Sequence, residues 1–134
     1  MRVYTNNTRV NVSLEVDGKP VVFKLKPLTF AQKSEFASMP TATSIDQMRV
    51  LIKALQFTLV SASGIQDEDG NPWQLSHDAE GLVASESIDA LIGVPEMAPV
   101  SLVAIGLLKS IPSEGELCDA GGNVIPGVTV ALGK

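Results

Sequence analysis

His77 is the single histidine and Cys118 the single cysteine among 134 residues, so any catalytic pair, triad or thiol metal site must draw on one of them. A Cys–His pair needs its thiolate formed beside a base. Cys118 lies in a Gly-rich stretch, Glu116-Leu117-Cys118-Asp119, with no base flanking it. His77 follows Ser76 and precedes Asp78, which is where an exposed residue at the start of a helix would stand.

The densest run of carboxylates is Asp67-Glu68-Asp69-Gly70-Asn71. A calcium loop of the EF-hand type needs an acid five residues before its turn glycine, and that position holds Ile65. General acid–base pairs can be drawn from Asp67, Asp69, Asp78 and Glu80, but acids in polar turns are ordinarily turn formers. Gly115, Gly121 and Gly122 do not follow a strand and open a helix, as a phosphate-binding loop requires. Trp73, with few other aromatic residues, builds no platform for stacking bases. The expectation is a protein that is not an enzyme and uses no metal or cofactor; a small enzyme using His77 and nearby carboxylates is the weaker rival.

Charge points the same way. Residues 1–53 hold eight Lys/Arg against four Asp/Glu, a balance of +4, whereas residues 54–134 hold two against eleven, a balance of −9. Phosphate binding needs a dominant basic surface, so nucleic acid is not the expected partner. The asymmetry either solvates two surfaces or lets the basic part of one copy meet the acidic part of another, head to tail.

The chain has the length of one ordinary domain, and at 45% hydrophobic with 4% aromatic residues its core must be built from Leu, Ile, Val and Ala. Met97 to Leu108, its longest nearly uncharged apolar stretch, is interrupted by Pro99 and Gly106 and is too short to span a bilayer. With no apolar leader after Met1-Arg2-Val3-Tyr4 and no second cysteine to pair with, a cytosolic location and no membrane partner are expected.

Strict alternation positions the first elements. Val12, Leu14 and Val16 alternate with Asn11, Ser13 and Glu15; Asp17-Gly18 tolerates the positive φ of a tight turn; and Val21, Phe23 and Leu25 resume the alternation. Thr29 with Gln32 has capping-box spacing for a helix to about Met39, stopped by Pro40. Ser44 with Gln47 repeats it for a longer helix through Val60, with Gly64 as its terminator. Asp67 to Pro72 reads as a small hairpin or tight loop. Helices are expected from Ser76 to Leu82, around Ile88, Leu91 and Ile92, and from about Pro95 to Ile111.

The fold class is therefore α+β: an N-terminal antiparallel β-hairpin sheet packed with about four helices over residues 1–112. Residues 113–134 read as an extended Gly-rich arm. Leu117, Val124, Ile125, Val128, Val130 and Leu132 are its candidate partner-binding residues, and a terminal strand in the domain's own sheet is the alternative.

Phe23-Lys24-Leu25-Lys26-Pro27-Leu28-Thr29 running out of a hairpin, a helix, a proline break and a long amphipathic helix lead to Val60-Ser61-Ala62-Ser63-Gly64-Ile65 and Asp69-Gly70-Asn71-Pro72. Over about residues 10–111 this succession resembles the tail assembly chaperones of long-tailed bacteriophages. The resemblance implies an oligomeric helper in the cytoplasm of the infected bacterial host, one that binds the tape-measure protein and recruits tail-tube subunits without catalysis. A structural tail or head–tail connector subunit retained in the virion is the alternative.

Overall fold

The structure, a computed structural model, describes residues 4, 5, 7–119 and 121–133. Two strands, β1 (Arg9–Val16) and β2 (Lys19–Leu25), pair antiparallel from Val10↔Leu25 to Val16↔Lys19. They are joined at Asp17 and Gly18, whose φ angles of 52° and 77° lie in the left-handed region that this turn requires.

The hairpin is the centre of a larger sheet. β3 (Leu59–Ser63), β4 (Gly115–Cys118) and β5 (Val124–Gly133) complete five strands in the order β3-β2-β1-β5-β4, every neighbour antiparallel. β5 runs along β1 from Val128↔Leu14 to Arg9↔Gly133. The segment expected as a separate arm thus supplies an edge strand, β4, and an interior strand, β5, in keeping with the alternative of a terminal strand in the domain's own sheet, and the α+β unit continues to Gly133. The physical reason is a short period-two pattern: Val128, Val130 and Leu132 face one side and Thr129 and Ala131 the other, matching the pleat of β1. Val128 and Val130 are buried, each burial contributing about 1.5–3 kcal/mol.

Among the described residues four helices accompany the sheet: α1 (Phe30–Ala37), α2 (Ser44–Thr58), α3 (Ser85–Ile92) and α4 (Ala98–Gly106), the last entered through a 3-10 turn, Pro95–Met97. Thr29 and Gln32 form the expected capping box. The second box uses Thr43 and Asp46, one residue earlier than the sequence spacing indicated. Asp46 is the better partner because its charge also complements the helix N-terminus.

Three helix boundaries differ from expectation. α2 stops at Thr58, whose carbonyl accepts the Lys26 amide at 2.8 Å and whose hydroxyl donates to the Ala54 carbonyl at 2.7 Å. Leu59 onward is then drawn into the sheet beside β2. α4 ends at Gly106, a poor helix former, and not at Ile111. Residues 76–82 form no helix: Asp78 turns the chain, and His77 bridges back to Val83.

The core lies between one sheet face and α2, α3 and α4. Val10, Val12, Leu14, Val21, Phe23, Leu25, Val128 and Val130 meet Ala54, Leu55, Ile88, Leu91, Val100 and Val103. Ser87 is buried within this layer, and its hydroxyl accepts the Ser76 amide at 3.0 Å, tying the 65–84 loop to α3.

Candidate functional site

The residues with reactive side chains are dispersed. His77 and Cys118 are both exposed, His77 in a loop bridge and Cys118 on β4 opposite Val124. Among the described residues no group of three or more His, Cys, Asp or Glu is arranged to hold a metal.

Two of the four carboxylates considered for chemistry, Asp67 and Asp78, close turns, and Asp119 does the same. Asp67 Oδ1 accepts from the amides of Asp69 and Asn71 at 2.9 and 3.0 Å. Asp78 Oδ1 accepts from Glu80 and Leu82 at the same two distances, and Asp119 Oδ1 does so from Gly121 and Asn123. In each turn the glycine three residues on, Gly70, Gly81 or Gly122, has φ 82° and donates its amide to the aspartate carbonyl. One local device, Asp-x-x-Gly, thus recurs three times. Its signal was present in the sequence as Asp67-Glu68-Asp69-Gly70, Asp78-Ala79-Glu80-Gly81 and Asp119-Ala120-Gly121-Gly122.

Exposed apolar side chains and an open groove mark two further places on the surface. From Thr29 to Lys53 no residue is buried, although this stretch carries Phe30, Phe36, Met39, Ile45, Met48, Leu51 and Ile52. Phe30 is 86% exposed, Ile45 67% and Met48 48%. Local devices hold the stretch in shape: the two capping boxes, the Glu35–Lys53 ion pair at 2.8 Å, and an edge-to-face contact of Phe36 with Phe57. Phe36, Leu51 and Ile52 are half-buried against the edge of the core, whereas Phe30, Ile45 and Met48 stand in solvent, an exposure of large apolar side chains of the kind found at contact surfaces.

The second place is an open groove of about 930 Å3. Its walls are the turn end of the β1–β2 hairpin, the 63–74 segment and the stretch from Ala90 to Met97. Trp73, Pro20, Leu91, Val94 and Met97 supply apolar wall, and Asp17, Asp67, Glu68 and Glu96 stand around it against one cation, Lys19.

The six residues read as a binding arm divide by strand pleat. Val128 and Val130 belong to the core, while Leu117, Ile125 and Leu132 are half-buried against it. Val124 alone of the six is exposed, at 50%. Val128 and Val130 are therefore core residues and not open to a partner. The exposure of Phe30, Ile45 and Met48 has no signal in the sequence, because the apolar spacing of residues 29–53 is that of an ordinary core-facing helix.

No helix is long and apolar enough to cross a membrane among the described residues. No protein-family profile matches this chain, and no curated protein or solved structure matches it significantly.

Proposed function

We propose that this protein acts by holding another protein chain, as a phage tail assembly chaperone that shields apolar helical stretches of the tape-measure protein and recruits tail-tube subunits. The observation that carries this reading is the 25-residue stretch from Thr29 to Lys53, α1 and the first part of α2, which contains no fully buried residue and presents Phe30, Ile45 and Met48 to solvent. A helix face of this kind lies alongside another amphipathic helix, with apolar anchors three or four residues apart, as Ile45 and Met48 are. The scattered reactive groups, with turn-bound Asp67, Asp78 and Asp119, support binding over catalysis. The resemblance of the sequence over about residues 10–111 supplies the identity of the client.

Co-expression with the tape-measure protein of the same genome tests the reading. The client is expected in the soluble fraction with the wild-type chain and in the pellet with a Phe30→Asp, Ile45→Asp variant. Equal solubility with both, or a client that never becomes soluble, would overturn it.

A further inference from the structure

The groove and the exposed helical stretch occupy opposite ends of the sheet and carry opposite charge. The stretch leaves the sheet after Leu25 and rejoins it at Leu59, and these two residues are paired, with the Lys26 amide closing on the Thr58 carbonyl at 2.8 Å. The groove opens at the other end of the same strand, around Lys19 to Val21 and Ser63 to Gly64. β2 is seven residues long, so about 20 Å of strand separates the two ends.

Within Thr29–Lys53, Lys33, Arg49 and Lys53 stand against Glu35 and Asp46, a balance of +1, and Lys24 and Lys26, at the end of β2 from which the stretch leaves, bring that end of the sheet to +3. Glu35 and Lys53 pair with each other, which leaves Lys24, Lys26, Lys33 and Arg49 against Asp46. The groove's charged residues, Asp17, Asp67, Glu68 and Glu96 against Lys19, have a balance of −3.

We propose that the groove of one copy receives the α1–α2 stretch of a second copy, so that free chains associate head to tail. The occupant offers what the groove lacks: exposed apolar anchors beside cations, set against apolar walls beside anions. The contact joins two different surfaces, and each copy retains one of each, so the association is heterologous and open-ended. Complementary charge steers the encounter and fixes its polarity, while burial of Phe30, Ile45 and Met48 contributes the apolar part. This step rests on the proposed function in one respect: the stretch assigned to the client is the one the groove covers, so client and groove compete for it.

Charge exchange tested by sedimentation velocity separates the two claims. The wild-type full-length chain is expected to associate increasingly with concentration at low salt, and less at 1 M salt, where the screening length falls to about 3 Å. A groove variant, Glu68→Lys with Glu96→Lys, and a helix variant, Lys33→Glu with Arg49→Glu, should each lose association at least tenfold. An equimolar mixture should regain it, because each altered surface then meets its complement. Unchanged circular dichroism identifies a folded variant, and recovery on mixing cannot arise from unfolded chains. A wild-type chain that stays monomeric, or variants that associate as the wild type does, or a mixture that regains nothing, would overturn the proposal. The groove variant leaves the client surface untouched: if it loses self-association yet still solubilises the client, both proposals stand. If wild-type chains associate yet the client stays insoluble, only the tail-assembly reading falls.

Discussion

The ring of Phe36 meets that of Phe57 edge to face, centroids 5.9 Å apart and planes at 85°, and this contact ties the first helix to the second. Phe57 is buried and carries the Lys53 ammonium 5.7 Å from its ring centre, while Lys53 also pairs with Glu35. A surface ion pair contributes at most about 1 kcal/mol, so the rings are the stronger part of the attachment. Phe36→Ala is expected to speed amide exchange throughout Phe30–Ala37 while leaving the sheet protected. A double-mutant cycle with Phe57→Leu should give a coupling of about 1 kcal/mol.

Gly64 and Gly70 share a left-handed backbone, φ 84° and 82°, yet alanine should affect them differently. A Cβ at Gly64 would run into the carbonyl oxygen of Pro20, part of the β2 backbone, whereas one at Gly70 meets open space. Gly70→Ala then carries only the conformational term, about 1–2 kcal/mol. Gly64→Ala adds displacement of packed backbone and should cost about 2–5 kcal/mol in all. Urea unfolding midpoints, with the slope unchanged, measure the difference.

The Asp-x-x-Gly turns make a prediction about side-chain chemistry. Asp67→Ala removes the oxygen that accepts from Asp69 and Asn71, and should cost about 1 kcal/mol, the scale of a lost helix cap. Asp67→Asn retains an acceptor at the same place and should cost clearly less. Equal losses in thermal unfolding would assign the effect to charge instead of the turn bonds.

Truncation tests the position of β5. A chain ending at Ser113 lacks β4 and, with it, the strand β5 that pairs with β1. It loses the buried Val128 and Val130 and leaves one edge of β1 unpaired. Domain stability is only about 5–15 kcal/mol, and this loss should abolish cooperative unfolding. A detachable arm would leave the shortened chain folded.

Local chemistry was legible in the sequence wherever it is decided by neighbours. The Asp17-Gly18 turn, the alternation from Val12 to Leu25 and the Thr29–Gln32 capping box are all short-range, and each took the form its residues specify. Boundaries decided by distant partners were not legible. Leu59 to Ser63 continues the apolar spacing of α2, and only pairing with β2 makes it a strand. Val128 to Leu132 alternates for too few residues, after Pro126 and Gly127, to stand out from its Gly-rich surroundings. The exposed apolar face was hidden for a related reason: periodicity shows that Ile45, Met48, Leu51, Ile52 and Leu55 share a helix side, but not that coverage is partial at Leu51 and Ile52 and complete only from Ala54.

Hydrogen–deuterium exchange on the full-length chain, alone and in complex with the tape-measure protein, tests the central claim most directly. The account predicts that amides and packing within residues 29–53 gain protection in the complex, with β1, β2 and β5 unchanged. Protection confined to the strands or to the Gly-rich C-terminal segment, with residues 29–53 exchanging as in the free protein, would contradict it.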